Sequence, residues 1–254
     1  MAARAKPEPR LSLPKAAQVA KPAWGAADKA PSDFHHDFLW KDRIVRDDVG
    51  VFEESPWKRT DEASWKFRED NLWGPRIAPL SKLVDALRRE TGGHVPWIDP
   101  FCAGIEAQIL AVLLRPGPLG AMATNFLSLA NQDQTAKNTI EVLTQANISY
   151  RQLLFWNAIP WSGQREEKIT SAMIQRGASM FDRLLQLLPV LRCVILVGGD
   201  ARRIETFVNW PPAVRPLKCA HPGPFVWNQH RYRHQKQQIF EVFRDAAALV
   251  NHST

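Results

Sequence analysis

Cysteine is scarce in this chain, and long apolar runs are missing. The 254 residues include three cysteines, Cys102, Cys193 and Cys219, whose wide spacing argues against a disulfide framework and against a four-cysteine zinc or iron-sulfur site. Every apolar run is shorter than the ~18 residues that a membrane-spanning helix needs, and Met1 to Arg10 has no apolar signal-peptide core. These absences predict a cytoplasmic protein with no membrane partner, no metal and no cofactor.

Acidic residues are also in deficit. The chain has 33 Lys and Arg against 26 Asp and Glu, a net charge of +7 and a pI near 9.5. This balance favours a polyanionic partner such as DNA, although a basic protein without such a partner has the same composition. With 45% hydrophobic residues the chain can bury one substantial core and carry a long tail, which predicts a single domain. We also expect the protein to be a monomer.

Composition divides the chain into three parts. Residues 1–32 are rich in Ala, Lys and Pro, which predicts a basic tail without fixed structure. One interpretation is that this tail adds non-specific attraction to nucleic acid; we favour the other, a solvated tail without a function. Residues 33–93 are expected to form an irregular or helical cap rich in tryptophan, including a helix over 77–91 that ends at Gly92. Residues 94–254 are expected to form the main domain.

Short apolar runs alternate with amphipathic segments through the main domain. This order predicts a three-layer α/β/α fold around a central four-stranded parallel sheet. The expected strands cover 107–114, 152–156, 193–197 and 214–219, and the expected helices cover about 134–146, 166–188, 201–208 and 233–250.

Each predicted strand ends in a stiff or polar loop. The four loops are Arg115-Pro116-Gly117-Pro118, Asn157-Ala158-Ile159-Pro160-Trp161, Gly198-Gly199-Asp200 and Cys219-Ala220-His221-Pro222-Gly223-Pro224. Ligands of open parallel sheets bind outside the carboxyl ends of the strands, so the loops predict one pocket. A nucleotide site of the P-loop type is disfavoured, because the first loop has no glycine-rich pattern and no lysine.

The order of these four loops resembles the uracil-DNA glycosylase superfamily over roughly residues 94–245. The resemblance implies an enzyme of base excision repair, which flips uracil or a related deaminated base out of DNA and hydrolyses its N-glycosidic bond. By this resemblance His221 donates to O2 of the leaving base, where negative charge develops. Asn157 pairs with O4 and N3–H and so rejects cytosine. A structural loop histidine and an Asx turn are the alternative interpretations.

The resemblance also bears on one aromatic residue and on the first loop, where this chain departs from the family. Phe126 falls near the family's base-stacking aromatic, although a core position is an equal alternative. Arg115, Pro116 and Gly117 correspond to the loop in which relatives carry an acid or asparagine that positions water. Leu114 and Arg115 offer neither, which favours a second hypothesis: a DNA or nucleobase binder with weak or lost catalysis.

Polar residues elsewhere complete the expected site. Asp133 is the only carboxylate of the 125–138 segment and is a candidate to replace the missing acid, although we favour a helix cap. Ser162, Gly198, Pro222, Gly223 and Arg231 are expected to contact DNA. For Gly198 a plain tight turn is an equal alternative. For the aromatic and basic stretch around Arg231, which suits a DNA-facing surface, the alternative is an ordinary solvated helix start.

Overall fold

The computed structural model describes residues 60–163 and 167–251. The tail expected over 1–32, the part of the cap before residue 60, and the predicted helix start at Glu166 lie outside these ranges. In chain order the elements are α1 (Glu62–Asp70), α2 (Ala78–Thr91), β1 (Trp97–Ile98), β2 (Ile109–Leu113), α3 (Ala121–Thr124), β3 (Phe126–Leu127), α4 (Gln134–Ala146), β4 (Leu153–Asn157), α5 (Ser171–Leu185), β5 (Cys193–Val197), β6 (Arg215–Cys219), α6 (Pro224–Asn228) and α7 (Arg233–Asn251), with 3-10 helices at Gly104–Glu106, Ala201–Phe207 and His230–Tyr232.

Four parallel strands form the central sheet in the order β4-β2-β5-β6. β5 is buried along its whole length, as expected of a strand covered on both faces. β6 lies at an edge, where Pro216 is tolerated and Arg215 and Lys218 reach solvent. The predicted four-stranded parallel sheet is confirmed.

Helices cover both faces of this sheet. α4 packs with α6 and α7, whereas α2 packs with α5, which also contacts the 3-10 helix Ala201–Phe207. The chain crosses the sheet in one direction from β2 to β4 and in the other from β4 to β5. Right-handed crossovers therefore place α4 and α5 on opposite faces, and the three-layer α/β/α architecture is confirmed.

Local capping decides where the helices begin. The Asp133 side chain accepts from the Ala136 N–H at 3.0 Å, so α4 has its predicted bounds. α5 starts later than predicted, at Ser171, because the Thr170 hydroxyl accepts from the Met173 N–H at 3.2 Å. The helix predicted over 201–208 is a 3-10 helix, a form used for short pieces, and no side chain caps it.

A second, smaller sheet joins the N-terminal helices to the main core. β1 and β3 pair in parallel over two residues each, too short to leave a periodic pattern. Arg68 on α1 and Asp99 after β1 form an ion pair at 3.1 Å with both side chains fully buried. The Arg68 guanidinium also lies over the Trp65 and Phe101 rings. Leu83 and Leu87 of α2 belong to the same core as the central strands.

Candidate active site

A pocket of about 280 Å³ lies at the carboxyl ends of β2 and β4. Leu113 and Asn157 close the two strands side by side in the sheet register, and both line the pocket together with Arg115, Pro116, Gly117 and His221. Three of the four predicted loops thus contribute to one pocket, as expected of loops at the carboxyl ends of parallel strands. The loop that begins at Gly198 does not line it. The volume is near the lower end of that of small-molecule sites.

Asn157 presents an unsatisfied amide to this pocket. Its side chain is 3% exposed, and the buried Oδ1 accepts no hydrogen bond from the described residues. The backbone that follows is held by the first loop, since the Ala158 and Ile159 N–H groups donate to the Leu113 and Leu114 carbonyls at 2.7 and 2.8 Å. Oδ1 therefore forms no Asx turn, and a buried polar atom without a partner is costly unless a ligand satisfies it.

Gly177 on α5 allows the loop after β4 to adopt this position. A Cβ at Gly177 would collide with the Ala158 carbonyl oxygen, so the helix backbone packs directly against the loop. The loop is fixed from one side by α5 and from the other by the end of β2. A rigid backbone of this kind holds the Asn157 amide in one orientation.

His221 is held by its neighbours on three sides. A Cβ at Gly198, whose φ is +93°, would lie 3.3 Å from the His221 Cβ, and a Cβ at Gly223 would lie 2.8 Å from Nδ1. Asn138 on α4 donates to the Pro222 carbonyl at 2.7 Å. A side chain at position 223 would therefore crowd the imidazole.

Burial lowers the pKa of His221 below its ordinary value, and the Asp133 carboxylate opposes that shift. A lowered pKa keeps the imidazole neutral at pH 7, with one N–H to donate and one nitrogen to accept. A neutral imidazole that donates into the pocket can stabilise negative charge as it develops on a bound molecule.

The first loop offers no group that can activate water. Leu114 packs against the hydrophobic core, and Arg115 Nη2 lies 3.2 Å from Glu167 Oε2. Pro116 and Gly117 contribute only backbone and apolar surface at the pocket wall. An arginine stays protonated, so none of these four residues supplies a base.

Phe126 is not brought to the pocket. It is 1% exposed, lies in β3 and stacks on Trp65 with ring centroids 6.0 Å apart, so its core position is the one observed. The aromatic ring that lines the pocket is Phe155. Sequence reasoning missed it, although it precedes Asn157 by two residues on one strand and therefore shares its face.

The residues expected to contact DNA lie in different parts of the fold. Pro222 and Gly223 are buried beside His221, and Gly198 is half-buried there. The Ser162 N–H donates to the His94 carbonyl at 2.8 Å, and Arg231 is exposed and lies over the Phe225 and Tyr232 rings. None of these five residues lines the pocket itself. Gly198 and Gly223 lie against His221, which does line it.

Other chemistries find little support in the described residues. Burial raises the pKa of Cys102, Cys193 and Cys219 to about 12, so none is a thiolate nucleophile at neutral pH. Over residues 60–163 and 167–251 no group of three His, Cys, Asp or Glu side chains is placed to hold a metal ion. In the same ranges no helix has the length and apolar character to cross a bilayer.

Comparison with known proteins finds similarity in solved structures alone. No protein-family model and no curated protein matches this chain. Mimivirus uracil-DNA glycosylase is similar at 14% identity and a TM-score of 0.34, over 63% of this chain and 67% of that one. A variant of mimivirus UNG in complex with UGI is similar at 12% identity and a TM-score of 0.33, over 67% and 75% of the two chains. Function must therefore be inferred from the chemistry of the pocket.

Proposed function

We propose that this protein is a DNA glycosylase-like hydrolase that takes uracil or a related deaminated base from DNA into the pocket and cleaves its N-glycosidic bond. The observation that carries the proposal is the buried Asn157 amide, whose Oδ1 has no partner among the described residues, in a pocket shared with His221. An amide offers one acceptor and two donors. This set matches the N3–H and O4 edge of uracil.

His221 supplies the catalytic contact in this proposal. As the glycosidic bond breaks, its electron pair moves onto the base, and the imidazole N–H stabilises the negative charge that develops on O2. The neutral state favoured by burial avoids the cost of holding a buried cation in an empty pocket.

Exposed side chains near the pocket suit contact with DNA. Leu119 is 81% exposed and lines the pocket, and Phe225 is 55% exposed four residues after His221. Arg231 packs over the Phe225 ring. We propose that Phe225 fills the space left by the extruded base while Arg231 contacts phosphate.

A uracil-containing oligonucleotide tests this function. Purified protein is incubated with it, the product is treated with alkali, and strand cleavage reports the abasic site. We expect cleavage by the wild type and none of a thymine-containing control. His221→Ala should lower the single-turnover rate by about 10²–10³-fold with a modest loss of DNA binding. His94→Ala, which alters a half-buried histidine outside the pocket, should keep the rate.

The second candidate is a DNA or nucleobase binder with weak or lost catalysis. It is favoured by the apolar Leu114 and by the Arg115–Glu167 ion pair, which stand where the resembled family places its water-positioning group. Binding of the uracil oligonucleotide without any abasic product at stoichiometric protein would select this candidate. An unchanged rate in His221→Ala would refute the role given to that residue.

A further inference from the structure

The pocket contains one carboxylate, and it comes from a helix cap. Among the pocket-lining side chains of the described residues, Asp133 is the only acid, beside the cations or potential cations Arg115 and His221. Arg115 is paired with Glu167. The negative charge inside the pocket is therefore that of Asp133.

The two oxygens of Asp133 have different surroundings. Oδ1 accepts from the Ala136 N–H at 3.0 Å and caps α4. Oδ2 lies over Gly120, where a Cβ would collide with it. The side chain is half-buried and lines the pocket, and the cap fixes the carboxylate in place.

Asp133 also acts electrostatically on the other pocket residues. Its charge is the influence that raises the pKa of His221 against the effect of burial, so the two groups lie within electrostatic reach of each other. The unpartnered Asn157 Oδ1 shows independently that this pocket is built to hold a polar ligand.

We infer that Asp133 binds and orients the water that attacks the sugar, in place of a group in the first loop. This inference rests on the proposed hydrolysis. The C1′–N bond breaks with its electron pair passing to the base, the water oxygen bonds to C1′, and the released water proton passes to Asp133 and then to solvent. The carboxylate also stabilises the positive charge that develops on the sugar.

Variants that keep the cap separate this role from a structural one. Asparagine and serine cap helices about as well as aspartate, so Asp133→Asn and Asp133→Ser should melt close to the wild type. Asp61→Asn is the matched control, because Asp61 caps α1 by accepting from the Ser64 N–H at 2.8 Å and does not line the pocket.

Single-turnover cleavage and DNA binding are then measured on the same uracil oligonucleotide. We expect Asp133→Asn and Asp133→Ser to lose about 10²-fold or more in rate with the dissociation constant for DNA nearly unchanged, and Asp61→Asn to match the wild type. A wild-type rate in Asp133→Asn, or a rate loss explained by weaker binding, overturns the inference and leaves the proposed function standing. Absence of cleavage by the wild type overturns the proposed function and this inference with it.

Discussion

Two buried asparagines, Asn157 in the pocket and Asn138 on α4, should respond in opposite ways to the same substitution. Asn157 and Asn138 are 3% and 2% exposed, so their burial is equal. Asn157 Oδ1 has no partner among the described residues. Asn138 donates to the Pro222 carbonyl and accepts from Gln134 Nε2, each at 2.7 Å.

Asn157→Leu should stabilise the protein and abolish its function. The substitution removes an unsatisfied buried polar group, which costs about 1–3 kcal/mol, and the added methyl groups can extend into the 280 Å³ pocket. A change of 1 kcal/mol moves the melting temperature by roughly 2–4 °C in a domain of this size. We therefore expect a higher melting temperature together with loss of uracil cleavage.

Asn138→Leu is the control with the opposite sign. It leaves the buried Pro222 carbonyl without a donor, so the free energy of unfolding should fall by about 1–3 kcal/mol. Thermal and urea unfolding of both variants, read against the wild type, measure the contrast. An Asn157→Leu protein that melts below the wild type would refute the reasoning, because its amide would then contribute stability rather than function.

Two other predictions concern the stability of the folded protein. Arg68→Met removes one partner of the fully buried ion pair with Asp99, and urea unfolding should show that the free energy of unfolding falls by about 3–5 kcal/mol. Lys66→Met removes one partner of an exposed ion pair and should change the free energy of unfolding little. Equal effects of the two substitutions would contradict the argument from burial. The lowered pKa of His221 means that the unfolded chain binds more protons near pH 6.5, so the wild type should lose stability as the pH falls through and below 6.5. His221→Gln should lose less over that range, and parallel curves would show that His221 titrates as in the unfolded chain.

Much of the architecture was predictable because it depends on local rules. The continuous apolar run Cys193–Val197 indicates a buried strand, and Asp133 and Gly92 mark helix ends through capping and left-handed backbone. The two-residue strands β1 and β3 were not predictable, because two residues carry no period. The 3-10 form of 201–207 was missed because its apolar spacing is also compatible with an α-helix.

The candidate site was predictable in part. Asn157 and His221 were expected to meet because parallel strands end at one edge of a sheet, and they do line one pocket. Phe126 and Phe155 are both buried aromatics in the sequence pattern, and nothing local distinguishes a ring that faces the pocket from one that stacks on Trp65. The placement of Phe126 depends on α1, which carries Trp65 and is distant in sequence.

By itself, the sequence determined the sheet, the order of its loops and the absence of an acid in the first loop, because these follow from the pattern of neighbouring residues. Tertiary structure alone decided that Asp133 lines the pocket as well as capping α4. It also decided that Asn157 Oδ1 has no partner among the described residues and that Gly223 lies against the His221 ring. Each of these depends on contacts between chain segments that only folding brings together, and a polar atom's hydrogen-bond partners are known only when those segments have met.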